Sequence, residues 1–468
     1  MPGRAEDWAR DLFRTLVLKT NPYFPFVYCN RWPYHVSLRA VSSLVRRRPE
    51  VRSLYLRHSL ASSGWTPALS DIDLTLILER SLTAQREFDF IDSFRRRYRR
   101  LKRFFPMLGE LQILGEDDFK PWLRFTGDAP ARRRWTLLDG QPILDDSSSP
   151  PSPHWRVKAL NVSLFVYFDR IPACLSKRDS YLRREDVRRR VMKIINVLRP
   201  VLAERGEREL PIDPQAGETL LIAQAAKALE AAVAHVDHGA IPAPPDAAWF
   251  PSNANRRDFH SNPPDSLSGV RSAIAFEDKV VVIIASGLAP EQVAGAAAAS
   301  RKAWALPPVL LPENVFRYML RRYNPFDYSW LFRGRTVAFG TDPLEGMPPP
   351  GKAEFTAHLL SRMDHILAFT RGEELFPESG LLPVHAFEKE VGRLMGIRLL
   401  LQKGWIAPDR HQSDAEWRRE FPDCSSTLDE IKLAAATRRD ERANRQAAFV
   451  FFRSLASEVR DAVMGMQP

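Results

Sequence analysis

LYLRHSLASSGWTPALSDIDLTLIL, residues 54–78, holds two apolar runs separated by small, polar and turn-forming residues. The first run, extended back to Val51, predicts a strand over 51–56. The second is β-branched and apolar with acids only at its start, and predicts a strand over 71–78. Between them SLASSGWTPALS is loop chemistry. Alternate residues of a strand share a face, so Asp71 and Asp73 point the same way while Ile72 and Leu74 enter the core. Two carboxylates so placed repel each other unless a cation sits between them.

Working outward, Phe88, Ile91, Phe94, Tyr98, Leu101 and Phe105 recur at helical spacing, which predicts a helix from Thr83 to Phe105 crossing between strands. MLGELQIL, Met107 to Leu114, is the next expected strand, RRRWTLLDG a further short one, and DDSSSPPSP a domain boundary. Upstream, Trp8 to Leu18 and Val36 to Val45 have helical spacing. The aromatic, proline-rich NPYFPFVYCNRWPY between them, residues 21–34, is expected to be a packed loop. The fold class expected is α+β, a mixed sheet flanked by helices, followed by largely helical domains with a small α+β insertion.

That insertion is a hairpin over Ser272 to Ile284 turning near Glu277 and Asp278, then a helix and the strand RGRTVAFG, residues 333–340. The expected domains are N-terminal helices over 1–50, the sheet domain over 51–150 and a helical domain over 151–238. A linker over 239–268, the small α+β unit over 269–350 and a helical domain over 351–468 complete the chain. No internal repeat is evident from the residues alone.

At 468 residues the chain exceeds what one core usually supports, and 44% hydrophobic with 27% charged residues is ordinary globular composition. Three cysteines without short spacing indicate neither a disulfide framework nor a CxxC metal site. The N-terminus MPGRAEDWARDLF fits neither a secretory signal nor an anchor, so a cytoplasmic location is expected. The most apolar stretch, Val280 to Ser300, is interrupted by Gly287, Pro290 and Glu291, and no membrane association is expected. A net charge of +11 favours anionic partners, and a triphosphate or a nucleic acid both qualify.

Phosphoryl transfer needs a divalent metal held by closely spaced carboxylates, and amide or hydroxyl donors that grip the phosphates. An isolated Asp-x-Asp is usually just the polar mouth of a strand. Here it opens an apolar strand, and a preceding strand leads into Ser59 and a small-residue turn twelve positions before Asp71.

The segment therefore resembles the signature of the DNA polymerase β-type nucleotidyltransferase superfamily: a strand, Gly-Ser, a short loop, then Asp-x-Asp opening a strand. The resemblance covers about the first third of the chain. It implies magnesium at a two-metal site, and transfer of a nucleoside monophosphate from a triphosphate donor, expected to be ATP, to an acceptor hydroxyl with release of pyrophosphate. Small-molecule, protein and RNA acceptors are all compatible.

Carried over residue by residue, Asp71 and Asp73 match the metal-binding acids and Ser59 the serine that contacts the triphosphate. The expected nucleotide contacts are His58, Ser59 and Ser70. His58 stands where the family usually has glycine, and Ser62 and Ser63 where many relatives have Arg-Gly. The family's third carboxylate, metal ligand and base, comes from a later strand. Glu110 is the candidate for it, because it opens ELQIL and shares a strand face with Gln112, the alternative being a solvated strand residue. Glu116, Asp117 and Asp118 look like a cap or turn. RRRYRRLKR, Arg95 to Arg103, resembles a nucleic-acid patch, but on an amphipathic helix such a run is expected to be a solvated face. The alternative is a catalytically degenerate member that binds a nucleotide or RNA.

Overall fold

A computed structural model describes residues 15–57, 60, 65, 67–68, 70–120, 135–144, 155–175, 180–204, 213, 215–236, 268–276, 279–304, 308–323, 336–345, 347, 383–403 and 410–465. The protein is α+β, with two mixed four-stranded sheets. It divides into two compact units, Met1–Ser152 with Arg362–Pro468, and Pro153–Ser361.

In the first unit, helix α1 (Phe26–Val45) precedes strands β1 (Val51–Leu56) and β2 (Ile72–Leu78). Helix α2 (Ala84–Phe104) then crosses to β3 (Leu108–Gly115), and β4 (Thr136–Gly140) completes the sheet in the order β3-β2-β1-β4. β1 is antiparallel to β2 and β4, whereas β2 and β3 are parallel. A parallel pair requires a crossover, and α2 supplies it. Thr83 caps α2 by accepting from the Arg86 amide at 3.3 Å, and Phe88, Ile91, Phe94 and Tyr98 form its buried stripe.

The aromatic segment expected to be a loop is instead mostly helical, because α1 runs from Phe26 through Pro33 without a break. Its buried side, Tyr34, Ser37, Val41 and Val45, has helical spacing and belongs to a helix packed on α2, β1 and β4. That burial outweighs the one backbone hydrogen bond Pro33 forgoes. The basic run on α2 is solvated at Arg96, Arg97, Arg100 and Arg103, while Arg95 is buried.

The C-terminal segment adds four α-helices among the described residues. They are α8 (Val384–Lys403), α9 (Arg410–Glu420), α10 (Ser425–Ala436) and α11 (Arg442–Met464). The helical stretch expected over 355–369 lies outside the described residues. α11 packs on α2, where Phe449 meets Phe88 with ring centroids 5.7 Å apart. Beside this contact, Arg445 pairs with Asp92 at 2.6 Å, Arg453 with Glu87 at 3.1 Å, and Arg460 with Asp118 at 2.7 Å.

Asp118, expected in a cap or turn, lies in a helical turn over 116–120 and is fully buried between Arg453 and Arg460. Burial alone would lower the Arg453 pKa, but Asp118 and Glu87 outweigh it and the pKa is raised. Removing one member of such a buried cluster strands the charges left behind. Asp118→Asn is therefore expected to cost about 3 kcal/mol in denaturant unfolding. A loss no larger than that of an exposed pair would contradict the account.

In the second unit, α3 (Trp155–Phe165), α4 (Ser180–Ala203) and α5 (Glu218–Val236) precede the second sheet. That sheet comprises β5 (Val270–Phe276), β6 (Lys279–Ile284), β7 (Pro308–Pro312) and β8 (Thr336–Gly340), in the order β7-β6-β5-β8. α6 (Pro290–Ala303) crosses from β6 to β7, and α7 (Glu313–Tyr318) follows β7 directly. The expected hairpin is present as β5 and β6, and its turn residues Glu277 and Asp278 lie outside the described residues.

β7 escaped the sequence reading because PPVLLP carries three prolines. Pro308 and Pro312 are tolerated because β7 is an edge strand. Helices expected as a separate domain share one hydrophobic core with this sheet, from Leu160, Ile194 and Leu229 to Val282 and Leu311. Among the described helices, α5 is long and apolar enough to cross a membrane, but Leu221, Ala225, Leu229 and Val233 lie within that core.

Candidate functional site

Asp71 immediately precedes β2 and is exposed, while Asp73, the second residue of the strand, is half-buried. The neighbouring parallel strand bulges beside them. Ile72 pairs with Leu108 and Leu74 with Leu111, so Gly109 and Glu110 both stand opposite Asp73. The Glu110 amide donates to Asp73 Oδ1 at 3.2 Å. A Cβ at Gly109 would lie 2.7 Å from Asp71 Cβ and 2.8 Å from Asp73 Oδ1. The two strands can approach here only because residue 109 has no side chain.

On the same face of the sheet lie Arg57, Tyr55, Thr75, Glu110 and Gln112, since Tyr55, Thr75 and Gln112 are cross-strand partners. Arg57 follows β1 and is buried, with its amide donating to the Asp73 carbonyl at 2.8 Å. Its guanidinium donates to Glu110 Oε2 at 3.0 Å and lies over the Trp135 ring at 5.8 Å. Gln112 Nε2 donates to Glu110 Oε1 at 3.2 Å. Glu110 and Gln112 thus share a face against buried Leu111 and Ile113, the alternation expected of this strand. Among the described residues, buried Arg57 Nε and Thr75 Oγ1 have no hydrogen-bond partner, so this face holds polar atoms that its own side chains leave unmet.

The approach to Asp71 is pinned by α1. Tyr34 Oη donates to the Ser70 carbonyl at 3.0 Å and accepts from the Ala68 amide at 2.9 Å. The Tyr34 ring also packs against Trp65, with centroids 4.8 Å apart. Ser70 is buried, and its carbonyl serves the positioning of Asp71. His58 and Ser59 lie outside the described residues.

The structure therefore brings Asp71, Asp73 and Glu110 to one end of two adjacent strands, with the Glu110 carboxylate engaged by Arg57 and Gln112. Among the described residues, no three His, Cys, Asp or Glu side chains are arranged to hold a metal ion. Two hard carboxylates at the mouth of β2, beside the Gly109 bulge of β3, are donors of the kind magnesium takes. Sequence reasoning missed Arg57, Tyr34, Trp135 and Gly109. The last carried a usable signal, because glycine inside a strand pattern marks a close approach.

Gly109→Ala is expected to leave the fold in place but displace Asp71 and Asp73, with metal affinity and any transfer rate falling by up to about a hundredfold. Manganese binding measured on the purified variant checks this, and wild-type affinity would show that the approach of the strands is not needed.

No protein-family model matches the chain, and neither the curated proteins nor the solved structures yield a match.

Proposed function

We propose that the protein is a magnesium-dependent nucleotidyltransferase of the DNA polymerase β type, acting in the cytoplasm. The observation that carries this reading is the paired Asp71 and Asp73 at the mouth of β2, framed by the Gly109 bulge of the parallel strand β3. A sheet in the order β3-β2-β1-β4, with a helical crossover between β2 and β3, supports it as the setting in which an Asp-x-Asp strand meets a third acid from the next strand.

In this reading Asp71 and Asp73 would hold magnesium, which when bound neutralises triphosphate charge and polarises the phosphorus under attack. His58, Ser59 and Ser70 belong to the loop that would carry the phosphates, pinned at its far end by Tyr34. Glu110 would complete the site and accept the proton of the acceptor hydroxyl. Arg57 fixes Glu110 beside Asp73 and supplies positive charge on the same face. The acceptor is a small molecule, a protein or an RNA.

The decisive experiment supplies each labelled triphosphate with a cell extract and magnesium, then asks whether small molecules, protein or RNA retain the label. Label in one fraction that chelation abolishes supports the enzyme. Transfer that persists in excess EDTA would sink the metal-dependent reading. The Glu110 carboxylate held by Arg57 favours, as a second reading, a degenerate member that binds nucleotide or RNA without catalysis. Such a protein would show ligand-dependent thermal stabilisation and no label transfer.

A further inference from the structure

The two sheets have the same construction. In each, the first strand is antiparallel to two neighbours, the second is parallel to the third, and a helix crosses between the second and third. β1 and β5 both begin Val-Arg-Ser, at 51–53 and 270–272. The irregularities coincide as well. The pairing to the second strand slips between Val51 and Ser53 and between Val270 and Ser272, and the pairing to the fourth slips between Leu54 and Tyr55 and between Ala273 and Ile274.

Ser53 lies opposite Gly140 and Ser272 opposite Gly340. Both glycines have positive φ, +87° and +71°, and at both a Cβ would stand 2.2 Å from the carbonyl oxygen of the arginine before that serine. The third strand of each sheet runs straight into a helical turn that opens with glutamate, Glu116 or Glu313. Shared topology can arise from the few ways such sheets connect. Matching bulges at matching residues, on a repeated Val-Arg-Ser, are not required by topology.

Register then aligns the sites. Leu56 pairs with Leu74 as Ala275 does with Val280, so Lys279 stands at the position of Asp73 and Phe276 at that of Arg57. In the same way Tyr55, Thr75 and Gln112 correspond to Ile274, Val281 and Val309. Ile274, Val281 and Val309 are buried in the core of the second unit. Residues 58–72, which carry the candidate phosphate loop, have only Glu277 and Asp278 as their counterpart.

We propose that the second sheet is a duplicate of the first in which the polar site face has been overwritten as hydrophobic core, leaving one nucleotide and metal site per chain. The count of one rests on the nucleotidyltransferase reading, whereas the duplication and the overwritten face do not.

Two measurements on the full chain separate these parts. A charge at a face that is core is expected to unfold the unit, so Val281→Asp should lower the melting temperature by on the order of ten degrees or prevent folding. Val281→Thr, which installs the residue type of Thr75, should fold and lose a few degrees at most. Wild-type melting of Val281→Asp would overturn the overwritten face.

In the second measurement, manganese binding with a non-hydrolysable ATP analogue is followed by electron paramagnetic resonance. Binding to the wild type that is lost entirely in Asp71→Asn with Asp73→Asn is the expected result. Nucleotide-linked binding that survives in that double variant would overturn the single site and place a second one elsewhere. No binding to the wild type would overturn both the single site and the nucleotidyltransferase reading, and leave the overwritten face to be decided by the Val281 variants.

Discussion

Asp73→Asn is expected to reduce nucleotidyl transfer by on the order of a thousandfold or more while the protein stays folded. The amide keeps an oxygen for the Glu110 N–H, which now donates to Asp73 Oδ1 at 3.2 Å, so the β2–β3 bulge has no reason to open. What is lost is one of two negative charges at the strand mouth. A carboxylate that helps hold a divalent ion contributes several kcal/mol to the stabilisation of developing charge, and each 1.4 kcal/mol is about a factor of ten in rate. Asp71→Asn should behave in the same way, and because Asp71 is exposed its effect on stability should be negligible. Steady-state rates and thermal melts on the two variants check this. Transfer at wild-type rates by a folded double variant would place the chemistry elsewhere.

Glu110→Gln is expected to lower turnover by on the order of a hundredfold or more, with nucleotide binding largely kept. The glutamine retains a carbonyl for Arg57 and is the same size, so the contact at 3.0 Å can persist in weaker form. What disappears is the ability to take a proton or donate a second oxygen to the metal. Arg57→Met tests the same carboxylate from the other side. Without the guanidinium, the Glu110 carboxylate is no longer fixed, and the metal concentration that half-saturates binding should shift severalfold. Unchanged turnover in Glu110→Gln, together with unchanged metal binding in Arg57→Met, would leave this pair with a structural role only.

The first sheet was legible in the residues because its signals are local. Apolar alternation marked β1 to β3, the stripe from Phe88 to Tyr98 marked α2, and turn chemistry marked the ends between them. Asp71, Asp73 and Glu110 could be singled out for the same reason, since each stands at or near the start of a strand whose side-chain period is two. Where local signals conflicted with packing, the reading failed. Proline and aromatic content argued against α1 and β7, and both form because tertiary contacts or an edge position make the proline harmless.

By itself, the sequence determined that the chain is α+β, that an Asp-x-Asp opens an apolar strand after a small-residue loop, and that Glu110 shares a face with Gln112. These follow from periods of two and 3.6 and need no partner to be seen. Only the tertiary structure decided what meets those residues. It placed Gly109 against both aspartates, turned Arg57 onto Glu110, and set Tyr34 under the loop that leads to Asp71. It also packed the arginines of α11 on acids more than 300 positions earlier. The repeated construction of the two sheets belongs to the same class, because hydrogen-bond register and bulge position persist while side chains change from polar to apolar. The physical reason is that cross-strand and interhelical contacts depend on register and on the path of the chain, which no local pattern of residues encodes.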